Sequence, residues 1–164
     1  MAKVAKIEVQ IKSPEDKFYG IVRHNITHFA EVLPDQFESI EQVEGDGQVV
    51  GSVRLWKFVL GEAKFSSHYL FHKQLYGTPV VAKDRISAID DDNKSITCCV
   101  FEGDINKYYC TFNITIQVTT ESDGTLVKWF LEFEKANKEV PHPTLYLDLF
   151  DKVTMKMDDY LLKA

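Results

Sequence analysis

The sequence predicts an α+β fold, a seven-stranded curved antiparallel sheet around one long C-terminal helix, with two short helices after the first strand. Three observations predict it. Most of the chain alternates apolar and polar residues with the period of a strand. The alternating segments are joined by turns short enough for antiparallel neighbours. A single long stripe at helical spacing closes the chain.

In residues 5–11, Ala5, Ile7, Val9 and Ile11 alternate with Lys6, Glu8 and Gln10, so the first strand has one wet face. Ser13-Pro14-Glu15-Asp16 then supplies an N-cap, a first-turn proline and two acids for the positive end of a helix whose apolar stripe is Phe18, Ile21 and Val22. A second short helix is predicted over 25–32, with Ile26, Phe29, Val32 and Leu33 on one side, ending at Leu33-Pro34-Asp35. Six strands follow, at 37–44, 52–60, 80–90, 95–101, 108–120 and 126–135. Their turns include Glu44-Gly45-Asp46-Gly47, Asp90-Asp91-Asp92-Asn93, Glu102-Gly103-Asp104 and Glu121-Ser122-Asp123-Gly124. After Pro141-His142-Pro143, the residues Tyr146, Leu149, Phe150, Val153, Met157, Tyr160 and Leu161 recur at helical spacing.

A helix is about 10 Å across, while seven strands about 4.8 Å apart would span roughly 34 Å if flat. One helix cannot cover that face, so the sheet must curl around it. The concave face beyond the helix's reach is then lined by side chains, a ligand or a partner. Alternation says which residues face inward. Lys57 belongs in water, which turns Arg54, Trp56 and Phe58 inward; the more apolar parity of the next strand is Ala82, Asp84, Ile86 and Ala88. Then come Ile96, Cys98 and Val100; Tyr108, Cys110, Phe112, Ile114, Ile116 and Val118; and Val127, Trp129, Leu131 and Phe133. Asp84 is placed opposite Arg54 or at a polar end of the cavity, and a buried pair of this kind is either a structural salt bridge or a ligand-orienting group.

The candidate ligand-binding set is drawn from these faces. From the sheet it takes Phe37, Arg54, Trp56, Phe58, Asp84, Ile86, Ile96, Cys98, Val100, Cys110, Phe112 and Ile114. Tyr146, Leu149, Phe150 and Val153 come from the long helix; Val22, His28 and Val32 come from the short ones, His28 as a polar group near the cavity entrance.

At 164 residues the chain is read as one domain spanning 1–164. With 19 basic and 25 acidic residues, its net charge of −6 disfavours nucleic acid as a partner. No apolar run is long enough for a membrane span. Cys98, Cys99 and Cys110 are too few for a disulfide framework and are expected to be reduced. The N-terminus alternates and does not read as a signal peptide, so the expected compartment is the cytoplasm, and the sequons at Asn25, Asn93 and Asn113 are discounted.

Several segments together resemble the major latex protein branch of the Bet v 1 and PR-10 superfamily: Gly51-Ser52-Val53, Val81-Ala82-Lys83-Asp84-Arg85-Ile86, Phe101-Glu102-Gly103-Asp104-Ile105, the strand at 108–119, and Phe133-Glu134-Lys135 followed by Val140-Pro141-His142-Pro143. The match covers nearly the whole chain. It implies the helix-grip fold, a plant protein, and a large internal cavity for lipids, steroids or plant secondary metabolites. Two departures stand out. The family's glycine-rich loop resembles residues 44–51, but Gly47 stands where the latex branch has a bulky aromatic and Gln48 stands in place of the following glycine. Lacking a Gly-Lys-Ser/Thr ending, this stretch is read as a structural turn. The second departure is an insertion at 65–79, where the family has a tight hairpin. There Tyr69, Leu70, Phe71, Leu75 and Tyr76 could form a short helix over the cavity mouth, join a dimer contact or flap loosely; packing onto the protein is favoured because exposed apolar loops are costly.

His24, His28 and Glu31, like His68 and His72, have helical spacing, but two-histidine pairs four apart arise easily by chance and no cysteine or fourth ligand joins either group, so no metal is expected. No cofactor is implied. No nucleophile with its base, and no pair of carboxylates, announces an enzyme. Relatives in the superfamily do catalyse condensations or isomerisations, and Tyr108, Arg54 and Asp84 are the groups that would serve here. The expected function is a carrier, storage or stress-related protein for hydrophobic small molecules. The rivals are a receptor-like protein meeting a protein partner at the cavity mouth in its loaded state, and a cavity enzyme acting on secondary metabolites.

Overall fold

A computed structural model of the chain describes residues 2–65 and 75–163. Its elements run β1 (Lys3–Ile11), α1 (Glu15–His24), α2 (His28–Val32), β2 (Phe37–Glu44), β3 (Val53–Phe65), β4 (Leu75–Asp90), β5 (Ser95–Gly103), β6 (Tyr109–Glu121), β7 (Gly124–Lys135) and α3 (Thr144–Lys163), with a 3-10 turn at Ile105–Lys107. The seven strands form one antiparallel sheet in the order β1-β7-β6-β5-β4-β3-β2, so the first two strands of the chain are its edges. The helix-grip arrangement is present as expected. The sheet wraps α3, and the buried side chains Tyr146, Leu149, Phe150, Val153 and Met157 of that helix meet its concave face.

Polar contacts along its length fix the helix in the groove. At its middle, Trp129 of β7 stacks on Phe150 with ring centroids 4.5 Å apart and planes 9° from parallel, while its Nε1 donates to Thr154 Oγ1 at 2.9 Å. Near its C-terminal end, the buried Asp158 accepts from the backbone of Lys12 (3.1 Å) and Ser13 (2.9 Å) and from the Ser13 hydroxyl (2.6 Å). That contact corrects the role read for Ser13. α1 begins at Glu15 with Pro14 in the N-cap position and no side-chain cap, because the Ser13 hydroxyl is engaged with α3.

The helices and strand ends shift in local ways. Residues 25–27 do not continue into a helix. Asn25 closes α1, its N–H donating to Ile21 O, and tight turns through Ile26 and Thr27 lead into α2 at His28; asparagine competes for backbone hydrogen bonds and favours such ends. β3 and β4 run further than their predicted ends, pairing Lys64 with Tyr76 and Phe65 with Leu75. Leu75 and Tyr76 are therefore strand, not helix. The helix, dimer-contact and loose-flap readings for Tyr69, Leu70 and Phe71 fall outside the described residues.

Two β-bulges change the predicted faces. β6 pairs Tyr109 with Lys135 but Thr111 with Glu134, so Cys110 is an extra residue and everything before it swaps sides. Tyr109 is consequently buried, with its hydroxyl donating to Pro141 O at 2.7 Å, whereas Tyr108 is 56% exposed. Between Ile86 and Ala88 another bulge inserts one residue into β4, which puts Ala88 in water and leaves Ile89 packed against the core.

Asp158→Ala leaves two backbone N–H groups and a hydroxyl without their acceptor. It is expected to destabilise the fold by about 2–3 kcal/mol in urea unfolding, with α1 and β1 still formed at low denaturant; a change below about 0.5 kcal/mol would show that water replaces the carboxylate freely.

Candidate functional site

Between the concave face and α3 lies a cavity of about 110 Å³. β3 contributes Arg54, Trp56 and Phe58, and β4 contributes Ala82 and Asp84. Ile96, Cys98 and Val100 of β5 and Phe112, Ile114 and Ile116 of β6 continue the wall, which Trp129 completes from β7. α3 covers it with Tyr146, Leu149, Phe150 and Val153, and one end is closed by Val22, Ile26, Phe29 and Phe37 together with Ile105. β3, β4, β5 and β6 each present alternate residues here because the side-chain period of two aims one face at the helix.

The space is smaller than the resemblance implied. Aromatic side chains fill much of the groove edge to face: Tyr146 packs against Phe112 at 4.9 Å and Phe58 at 6.5 Å between centroids, and Phe37 meets Trp56 at 6.0 Å. Pockets that hold drug-sized ligands run from about 300 to 1,000 Å³, whereas an engineered apolar cavity of about 150 Å³ takes a single benzene. As it stands, this cavity has the size for one small ring.

Among the described residues one ion pair interrupts the apolar wall. Arg54 Nε donates to Asp84 Oδ1 at 3.0 Å and Nη2 donates to Asp84 Oδ2 at 2.9 Å, a two-pronged pair with each residue 5% exposed. The register sets it up, since Arg54 and Asp84 are direct partners across β3 and β4. Nη2 also donates to Cys98 Sγ at 2.9 Å, and the guanidinium lies 5.2 Å from the Trp56 ring. Burial opposes the charge on Arg54, but Cys98 and Asp84 together hold its pKa above the ordinary value. Burial pushes the Cys98 thiol up to about 12, so it stays protonated at neutral pH and the Asp84 carboxylate supplies the countercharge. Burial likewise raises the Tyr146 hydroxyl above its ordinary range. Of the two readings left open for Arg54 and Asp84, the salt bridge is present.

Fifteen of the expected lining residues meet at the cavity and four do not. His28 lies on α2 with Nε2 3.8 Å from Glu31 and its ring edge-on to Tyr160. Val32 packs against the core from the same helix, and Ile86 is buried beside the cavity, not on it. Cys110 is exposed at its bulge. The additional lining residues are Ile26, Phe29, Ala82, Ile105, Ile116 and Trp129. Alternation and the helical stripe already turned five of them inward; Ile105 sits in the 3-10 turn, where no periodicity marks it.

The remaining candidates resolve into structural roles. His24 ends α1, where its Nδ1 lies 2.6 Å from Gln48 Oε1, and His28 starts a separate helix, so the spacing His24, His28, Glu31 does not lie on one helical face. In the glycine-rich loop, Gly47 N–H donates to Ser52 Oγ, Gln48 N–H to Asp46 Oδ1 and Gly51 N–H to Ile86 O. Amides already bonded to the protein are not available to cradle a phosphate. Gly45 has φ +74°, and a Cβ there would lie 2.8 Å from Ser52 Oγ, which accounts for that glycine. Tyr108, exposed at the strand's start, does not reach the cavity wall.

The sequence profile of the pathogenesis-related protein Bet v 1 family matches residues 1–164. MLP-like protein 423 of Arabidopsis thaliana is 34% identical over 165 residues that cover 99% of this chain and 96% of that protein. MLP-like protein 34 of the same plant is 37% identical over 158 residues and 94% of this chain, which spans only 45% of that longer relative. Among solved structures, a crystal structure of ginseng major latex-like protein 151 from Panax ginseng superposes with a TM-score of 0.86 at 27% identity, covering 98% of both chains.

Asp84→Asn leaves the Arg54 charge buried without its countercharge and is expected to cost about 3–5 kcal/mol in denaturant unfolding. The double variant Arg54→Met with Asp84→Leu is expected to recover most of that loss. A double variant as unstable as the single one would mean that the pair holds the sheet by more than charge compensation.

Proposed function

The chain belongs to the Bet v 1 family, in its major latex protein branch, and from that premise we propose that it binds hydrophobic small molecules in the cavity between α3 and the sheet, as a carrier or store with a role in stress or defence. The observation that supports this reading is the cavity itself, a space between the helix and the sheet walled almost wholly by apolar side chains, whose one cation among the described residues is neutralised by a carboxylate. Burial of apolar area contributes about 25 cal/mol per Å², and such walls select size and shape more than chemical identity. A one-ring guest fits the space present. Fatty acids, steroids or larger plant metabolites would enter by parting α3 and its aromatic contacts from the sheet. A cytoplasmic location goes with this reading; none of the described helices is long and apolar enough to cross a membrane.

Both tryptophans of the chain, Trp56 and Trp129, line the cavity and serve as reporters. Titration with toluene is expected to change their fluorescence saturably with a dissociation constant of about 0.1–1 mM, on the order of −4 to −5.5 kcal/mol. Val100→Phe fills the space and is expected to weaken that binding at least tenfold while costing about 1–3 kcal/mol of stability. If the filled variant binds toluene as well as the wild type does, the guest is held elsewhere and the reading fails.

A further inference from the structure

The polar groups of the cavity wall are unevenly supplied with partners. Both oxygens of Asp84 accept from Arg54, and Cys98 Sγ accepts from it as well. Trp129 donates its indole N–H to Thr154. Trp56 differs, for its Nε1 is buried and has no hydrogen-bond partner. A buried donor left unpaired is costly and is rarely kept without a reason. Resting on the reading of the cavity as an apolar-ligand site, we propose that Trp56 is its specificity residue: it selects a neutral, ring-sized ligand carrying a hydrogen-bond acceptor, such as a ketone, ester or ether oxygen, which takes the Trp56 N–H.

Charge and capacity both point the same way. The wall's carboxylate is already engaged on each oxygen, so a ligand offering only donors finds little to donate to. The Tyr146 hydroxyl rotates to suit either kind of partner and does not discriminate. Among the described residues, Arg54 is the only cationic side chain lining the cavity, and Asp84 neutralises it. A carboxylate ligand would therefore bring a second negative charge beside Asp84 in apolar surroundings, without an uncommitted cation to balance it. A neutral acceptor meets the unpaired N–H with no such penalty. Arg54 and Trp56 lie on the same face of β3 and in contact, so the acceptor would sit beside the guanidinium's positive field as well.

Three probes of one shape separate the cases: ethylbenzene, acetophenone and benzoate, titrated into the full chain. Acetophenone is expected to bind at least as tightly as ethylbenzene although it gives up the hydration of its carbonyl, and benzoate at least tenfold more weakly than acetophenone. Trp56→Phe keeps a ring and removes the donor. It is expected to weaken acetophenone about tenfold and to leave ethylbenzene within about threefold, as loss of one net hydrogen bond requires. The indole N–H proton resonances of the wild type give a readout independent of that variant's folding: acetophenone is expected to move Trp56 downfield and ethylbenzene not, with Trp129, already bonded to Thr154, as the internal control. Ethylbenzene binding with acetophenone weaker than it, an unmoved Trp56 resonance, an unchanged ratio in Trp56→Phe, or benzoate as tight as acetophenone would each overturn this assignment while leaving an apolar site standing. Failure of all three probes to bind would overturn the apolar-ligand reading along with it.

Discussion

Everything in this molecule follows from one shortage of covering material. Seven strands offer a wide apolar face, and a single helix must hide it. The sheet responds by wrapping α3, and the helix is held by contacts that need each partner in place: the stack of Trp129 on Phe150, the indole N–H on Thr154, and Asp158 on the corner between β1 and α1. These contacts run from the middle of the helix toward its C-terminal end. Toward its N-terminus the helix faces aromatic edges, and it is between these and the strands that space remains.

A charge pair in such a wall needs a reason, because a buried ion pair is weak evidence of stability in itself. Here its geometry is well satisfied: both prongs are within 3.0 Å, and a thiol that burial keeps protonated accepts a third bond from Arg54. The consequence for a guest is a site with dipoles but almost no net charge. Such a site distinguishes neutral ligands by where their polar atom lies, and charged ones by the cost of leaving water.

The order of elements and the inward faces of β3, β5 and β7 were legible in the sequence because the period of two survives wherever pairing is regular. Lys57 alone was enough to turn Arg54, Trp56 and Phe58 inward. Legibility ended at bulges. One extra residue at Cys110 moved Tyr108 to water and Tyr109 to the core, and another before Ala88 put Ile89 in its place. A bulge is a property of two paired strands, so a single strand's alternation carries no trace of it. Ser13 shows the same limit at a helix end. Its local pattern reads as a cap, but its partner, Asp158, is 145 residues away in the chain. The cavity's small volume was also hidden, since it depends on how aromatic rings from different elements interlock.

The claim at the centre of this account is that the space beneath the first half of α3 accepts an apolar guest. Crystals pressurised with xenon test it most directly, because xenon reports accessible apolar space without needing a matched ligand. The account predicts a strong peak among Phe112, Ile114, Leu149 and Phe150. Peaks confined to the outer face of the sheet, with none beneath α3, would contradict it.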